Sequence, residues 1–477
     1  MESIWSESVK FKDRKSLDKN IKTDVLVIGA GIAGILTAYI LKESGRGVVV
    51  IDSGKTCNGN IKNTTAKITS QHDLVYGKII KEFGLDKAIQ YAKANELAIK
   101  TYKDIIEKRN IDCDFEEKSA YIYSLNDTDK LKEEAEGAKK AGINAEFVTE
   151  TSLPLEVKAA VKFNNQAQFN PLKFLKDISE DLIIYENTRA LEIREKEVIT
   201  DNVTIEAEHI VVATHYPIMN TPGYYFMKMH QERSYVLALD NVKPVDGMFI
   251  DYDKQGYSFR MYKNLLLFGG AGHRTGENKT GGSYEKLREA AKKIFPDAVE
   301  KYHWSAQDCM TVDGIPYIGR YSKKTPNIYV ATGFNKWGMT SSMVSAFIIR
   351  DMILGKENDF SDIFAPTRFD LSASISNIAK DVSETSKNFF AEKIYIPESH
   401  VEHIKKGHAG VVDYNGKKAG VYKDKEGRIF AVSTKCPHLG CQLQWNPDDL
   451  AWECPCHGSG FTYEGKKIDS PAIIDIV

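Results

Sequence analysis

Two short boxes near the end of the chain, Cys436-Pro-His438-Leu-Gly-Cys441 and Cys454-Pro-Cys456-His457-Gly-Ser459-Gly-Phe461, stand twelve residues apart and concentrate metal-binding side chains. Cys-x-His followed by Cys-x-x-His supplies two thiolates and two imidazoles, Cys436, His438, Cys454 and His457, from two loops. That set suits a two-iron two-sulfur centre in which histidines replace cysteines on one iron, and it also satisfies tetrahedral zinc. A second chemistry-bearing stretch lies near the start, Asp24 to Asp52, DVLVIGAGIAGILTAYILKESGRGVVVID. Val25 to Ile28 is an apolar run of strand length that breaks into Gly29-Ala30-Gly31-Ile32-Ala33-Gly34, and a helical segment follows as far as Gly45. Gly29 permits the tight turn, Gly31 lets a pyrophosphate approach the backbone, and Gly34 lets the helix pack on the strand. The helix N-terminus offers free amides to phosphate, and Asp52, ending a second strand, can accept from a ribose hydroxyl. The motif marks a dinucleotide site without separating FAD from NAD.

Composition bounds what these sites belong to. A chain of 477 residues is too long for one ordinary domain, and 42% hydrophobic with 27% charged residues describes a globular protein. A net charge of −2 gives no general attraction to nucleic acid. The longest apolar run, Val25 to Leu41, is short for a membrane span and carries three glycines, so no span is expected. The start, MESIWSESVKFKDRK, has no hydrophobic signal region, which makes a cytoplasmic location the default expectation. Seven cysteines, four of them in the last 42 residues, do not form a secreted disulfide scaffold.

The intervening chain must position the two sites. The first twenty residues read as an irregular lead-in with Trp5 as an anchor, and the polar loop after Asp52 returns past the dinucleotide. Its Thr64, Thr65, Ala66 and Lys67 offer hydroxyls and amides to a ribityl chain or pyrophosphate. Apolar spacing predicts an amphipathic helix over Leu85 to Lys108 and a charged helix over Asp127 to Lys140. Between His215 and Arg320, alternating aromatic runs predict an antiparallel sheet roofing the cofactor. Tyr257, Arg260, His273 and Arg274, with Arg233, are candidates for orienting a substrate, since guanidinium offers a bidentate fork to a carboxylate. A helix from Thr340 to Leu354 would point its N-terminus at the cofactor, and another is expected from Ser374 to Phe390. His400, His403 and His408 invite a mononuclear iron reading. A catalytic domain would have to follow the cluster, and the chain ends twenty residues after His457, so they are expected to be loop residues.

The GxGxxG with Asp52, the segment MTVDGIPYIGR (Met310 to Arg320) and the ATGF turn before the last helix together resemble the D-amino-acid oxidase-like flavoproteins, which include glycine and sarcosine oxidases. The resemblance covers roughly Lys22 to Gly355 and implies FAD. It places Gly338, Met339 and Thr340 against the flavin pyrimidine. The chain departs from the common Gly-His turn by reading Gly333-Phe334-Asn335-Lys336-Trp337, and no cysteine matches a covalent attachment position, so noncovalent FAD is expected. The terminal boxes resemble those of Rieske 2Fe-2S proteins, a likeness that favours iron-sulfur over zinc. By that resemblance Cys441 and Cys456 form the disulfide joining the two loops, and Ser459 hydrogen-bonds a cluster sulfide. Phe461 stands where respiratory Rieske proteins carry a tyrosine, which implies one hydrogen bond fewer and a lower potential.

The whole resembles bacterial fusions of a D-amino-acid oxidase-like half with a C-terminal Rieske domain. The expected fold is a Rossmann-like α/β FAD-binding domain with an interleaved antiparallel-sheet substrate domain, plus a small all-β Rieske domain. The flavin domain would span 1–370, its substrate subdomain about 85–185 and 215–320, with a helical linker at 371–392 and the Rieske domain at 393–477. The expected function is oxidation of a small amine or amino acid, electrons leaving singly from FAD through the cluster to an external acceptor protein. Alternatives are an NAD(P)H-driven reductase, although no second GxGxxG has a strand-helix context, and a redox sensor without turnover.

Overall fold

The computed structural model describes residues 3–253, 256–368, 401–414 and 417–477. The expected linker at 371–392, its helix and His400 lie outside the described residues. Strand β1 (Ile21–Ile28) runs into helix α1 (Ile32–Glu43) and strand β2 (Val48–Ile51). β1 pairs in parallel with β2 on one side and with Thr204–Val212 on the other. Thr325–Thr332 then adds in parallel to Thr204–Val212, and Ile183–Tyr185 to β2. Parallel central strands are covered on both faces, which explains why Val25 to Val27 are wholly buried in an unbroken apolar run.

Two of the three glycines are set by close approach. Gly29 has φ +110°, and a Cβ there would lie 2.5 Å from the Ala213 carbonyl oxygen. At Gly34 the clash would be harder still, 1.8 Å from the Gly29 oxygen, because α1 rests directly on the turn. At Gly31 a Cβ would meet nothing within 4 Å. The open space there is where the backbone can receive a phosphate.

Above this layer lies a nine-stranded sheet ordered Val299–Thr311, Met229–Asp240, Leu265–Arg274, Ser258–Tyr262, Met248–Asp251, Glu116–Ser124, Ala159–Gln168 and Lys67–Ile68, with Ala145–Val148 pairing beside Ala159–Gln168. The aromatic region between His215 and Arg320 thus supplies the expected antiparallel core. The sheet also recruits Glu116–Ser124 and Ala159–Gln168, and the Met248–Asp251 pairing to Glu116–Ser124 is parallel. Helices Leu85–Arg109 and Asp129–Lys140 form where the 3.6-residue spacing placed them.

The C-terminal residues form a three-stranded and a four-stranded sheet. This small β domain docks on the nine-stranded sheet through a charged centre. The Arg233 guanidinium lies 2.7 Å from Glu453, 3.0 Å from Asp469 and 3.3 Å from Asp449, all three from the C-terminal domain. Around it, Gln231 donates to the His457 and Ser470 carbonyls, Gln307 donates to the Gly458 carbonyl at 2.8 Å, and the Gly276 N–H donates to Glu453 at 2.9 Å. Asp448 accepts from the N–H groups of Gly282 and Ser283.

Two outcomes follow from this packing. Gly34→Ala should force α1 off the turn and destabilise the chain by about 1–3 kcal/mol in chemical denaturation. Arg233→Met, which leaves Glu453 buried without its cation, should cost about 3–5 kcal/mol in the same measurement, with Arg233→Lys recovering part of the loss.

Candidate functional site

A cavity of about 880 Å³ opens between the two large sheets. Gly29, Gly31 and Asp52 line one end, with Thr64, Thr65, Lys67, Gly338 and Met339 further along. Asp52 is fixed by its own backbone contacts, accepting from Ala30 N–H at 2.7 Å and Gly54 N–H at 2.8 Å. Burial raises the Asp52 pKa, and those two N–H bonds oppose the rise. Lys67 lies in the wall with Thr65 Oγ1 at 3.2 Å, and burial, then repulsion from Arg260, draws its pKa down to about 7.

Three of the expected cofactor residues do not line the cavity. Gly34 is packed under the turn, where a Cβ would meet the Gly29 carbonyl oxygen. Ala66 is wholly buried at φ +55°, its N–H bonded to Thr64 Oγ1. Thr340 turns its hydroxyl to the Thr69 carbonyl at 3.1 Å, beside His72.

The substrate-orienting candidates are redistributed by the fold. Arg260 is buried and donates to the carbonyls of Thr65, Ala66 (2.7 Å) and Phe169 (3.2 Å), with its guanidinium 5.4 Å from the Trp5 ring centre. It is therefore a strut beneath the 64–66 loop and not a carboxylate clamp. Trp5, whose Nε1–H donates to the Thr64 carbonyl at 2.7 Å, pins the same loop from the lead-in. Arg233 is consumed at the domain contact, and Arg274 bears electrostatically on His457 and Tyr216 instead of lining the cavity. Tyr257 packs on Phe268, ring centres 5.1 Å apart, outside the cavity lining.

Of the four leading candidates, His273 lines the cavity. Its Nδ1 faces the Arg274 carbonyl at 2.8 Å and its Nε2 the Tyr235 hydroxyl at 2.9 Å. A carbonyl only accepts, so Nδ1 carries the hydrogen and Nε2 accepts from Tyr235. Both ring nitrogens are spent, and no donor remains for a substrate.

The sequence reading missed a charged group at the same wall. Lys336 lies 2.8 Å from Glu232, with Asp73, Asp308 and Trp337 beside it in the lining. Burial pushes Asp308 up, with Lys336 opposing. The signal lay in the departure from the common Gly-His turn at Gly333 to Trp337, within which Asn335 and Lys336 both take positive φ.

In the C-terminal domain Cys441 and Cys456 form a disulfide, and Cys454 Sγ lies within 4.8 Å of both sulfurs. Cys436 and Cys454 are buried and unbridged, and the rings of His438 and His457 stand 4.9 Å apart at 89°. A hydrogen bond from the Cys454 thiol, with Ser459 assisting, draws the Cys436 pKa down to about 7 against burial. Burial lowers His438 to about 4 and His457 to about 3, so both imidazoles are neutral.

The Nδ1 atoms of both histidines are buried with no hydrogen-bond partner. His438 Nε2 donates to the Asn220 side-chain oxygen at 2.7 Å, which leaves Nδ1 as the bare lone pair. Two buried thiols and two orphaned imidazole nitrogens in one pocket are the donor set that a Rieske cluster requires. The open cradle at Gly31 and the anchored Asp52 likewise fit a dinucleotide. Phe461 is wholly buried, and Ser459 Oγ also accepts from Ala472 N–H at 3.0 Å.

The histidine edge faces the flavin-side domain. Asn220 bonds His438, Phe226 meets His457 edge-on at 5.9 Å, and Tyr216 meets His438 at 6.4 Å. Ala213, Thr214 and His215, immediately before Tyr216, line the cavity. His403 forms part of a short 3-10 turn and His408 begins a strand paired with Lys417–Lys423. Among the described residues no helix is long and apolar enough to cross a membrane.

The chain matches the FAD dependent oxidoreductase family over residues 24–352 and the Rieske 2Fe-2S domain over residues 395–476. It is 37% identical over 489 residues to a Bacillus subtilis (strain 168) protein named as a Rieske 2Fe-2S iron-sulfur protein, YhfW, covering 99% of this chain and 96% of that one. In fold it is similar to glycine oxidase from Geobacillus kaustophilus, at 18% identity and TM-score 0.61, covering 73% of this chain and 99% of that one. L-Proline dehydrogenase from P. horikoshii is comparable, at 19% identity and TM-score 0.62, with coverages of 74% and 98%. The glycine cradle, the buried Cys and His set and these matches agree: the chain belongs to the FAD dependent oxidoreductase family, an oxidoreductase that carries FAD and, in a C-terminal Rieske domain, a 2Fe-2S cluster.

Proposed function

We propose that this protein oxidises a small amine or amino acid, by dehydrogenation or demethylation, and that the electrons leave singly through the Rieske cluster to an external acceptor protein. Bound flavin supplies two-electron oxidation of a C–H bond beside an amine, and the cluster carries electrons one at a time. One observation carries the reading. The imidazole edge of the cluster pocket is seated against the loop that begins as cavity wall at Ala213 and reaches His438 through Tyr216 and Asn220. In this reading Cys436, Cys454, His438 and His457 are the cluster ligands. Gly29, Gly31, Gly34 and Asp52 hold the dinucleotide, and Gly338 and Met339 meet the flavin ring.

The chain's own groups bound what the substrate meets. Lys336 and Glu232 neutralise each other in the wall, and hydrogen bonds from His230 and Lys336 override burial to hold Glu232 below the usual carboxylate range. Asp308 and Asp73 are both raised by burial, which makes them wall groups suited to hold a proton. Trp337, in the wall, stacks on His72 behind it, ring centres 4.9 Å apart at 24°.

Anaerobic stopped-flow with a panel of amines and amino acids should show flavin bleaching followed by cluster reduction. Cluster reduction ahead of flavin bleaching, or bleaching by NADH or NADPH and by no amine, would overturn the proposal. Asn220→Ala removes the acceptor that raises the basicity of His438, so the cluster potential should rise in an EPR-monitored redox titration.

A further inference from the structure

The cavity is not built from the flavin domain alone. Lys467, Ile468, Asp469, Ser470, Ala472 and Ile473, all from the C-terminal domain, form part of its wall. Lys467 begins the strand Lys467–Asp469, whose other end reaches Arg233 through Asp469. Its ammonium is close enough to Arg189 and Asp52 for their charges to act on it. Burial lowers its pKa first, repulsion from Arg189 second, while Asp469, Asp52 and Asp475 oppose.

Among the described residues no hydrogen bond or ion pair engages that ammonium, and Arg189 Nε is buried with no hydrogen-bond partner. Two cations from two domains thus converge on the dinucleotide end of one cavity with donors unspent. Of the three carboxylates that act on it, Asp469 is paired with Arg233, Asp475 accepts from the Lys467 backbone N–H, and Asp52 accepts from the Ala30 and Gly54 N–H groups. Left alone, the arrangement costs both desolvation and like-charge repulsion. An anion lying between them removes both costs, and the cofactor of this cavity carries a diphosphate. The amides at the α1 N-terminus and the open space at Gly31 serve the same end.

We propose that Lys467 of the Rieske domain, with Arg189, clamps the FAD diphosphate, so that the iron-sulfur domain is a structural wall of the flavin site. This rests on FAD as occupant of the cavity and not on the substrate. Its consequence is reciprocal: whatever tightens domain docking tightens FAD binding, and FAD in turn holds the domains together.

The test uses the full-length protein, stripped of flavin and titrated with FAD by quenching of flavin fluorescence. Lys467→Met should weaken FAD about 10- to 100-fold, the worth of a charge-assisted hydrogen bond, with the cluster EPR spectrum unchanged. Lys467→Arg should bind FAD close to the wild-type affinity. A second measurement needs no variant: acetic anhydride should acetylate Lys467 in flavin-free wild type and spare it in the FAD-bound form, with exposed Lys466 as the internal standard for peptide mass spectrometry. If Lys467→Met should lose its cluster signal, the acetylation result decides alone. Equal acetylation of Lys467 with and without FAD overturns the proposal, as does an equal loss of affinity in the Met and Arg variants.

Discussion

The arrangement of this molecule depends on one guanidinium among three carboxylates. Arg233 projects from the central sheet of one domain, and Glu453, Asp449 and Asp469 converge on it from the other. Each of these charges is expensive away from water and tolerable only in company, so the docking has one arrangement that satisfies all of them. Gln231 and Gln307 then capture the backbone of the loop that bears His457 and Gly458. The direction of the imidazole edge toward Asn220, Phe226 and Tyr216, and the reach of Lys467 into the flavin cavity, both follow from that docking.

The fate of the arginines shows how burial redirects a side chain that surface chemistry would assign to ligands. Guanidinium offers five donors in a rigid fork, and it serves wherever acceptors converge, whether they belong to a substrate or to the protein. Arg260 met the carbonyls of a loop at Thr65 and Ala66 and that of Phe169 after the strand Ala159–Gln168, and Arg233 met carboxylates of a neighbouring domain. That stretch of the cavity wall was left to Lys336, Glu232, Asp73, Asp308 and Trp337. Those residues come from separate stretches, the turn between the strand Lys67–Ile68 and the helix Val75–Phe83, the sheet strands Met229–Asp240 and Val299–Thr311, and the turn before the Gly338–Ile353 helix.

Much of the fold is legible in the order of the residues. The β1, α1 and β2 unit declares itself because strand, glycine turn and helix are contiguous, and Gly34 beside Gly29 is a contact five residues apart. The helix spans Leu85–Arg109 and Asp129–Lys140 show the same locality, since their apolar faces repeat within a few residues. The parallel pairing of Met248–Asp251 with Glu116–Ser124 was not legible, nor was the loan of Trp5 to the Thr64 carbonyl. Neither leaves a periodic trace in the residues that make it.

What the sequence determined by itself was therefore the chemistry carried by short spacings: a dinucleotide cradle from three glycines and an acid, and a cluster pocket from two boxes of cysteine and histidine. Ligand type and turn geometry are properties of neighbouring residues, and neighbours are what a sequence displays. The tertiary structure alone decided that Lys467 lines one cavity with Asp52 and Arg189, and that His438 turns its outer nitrogen to Asn220. These are meetings of residues hundreds of positions apart, set by which buried charges can find partners, and no local pattern encodes them.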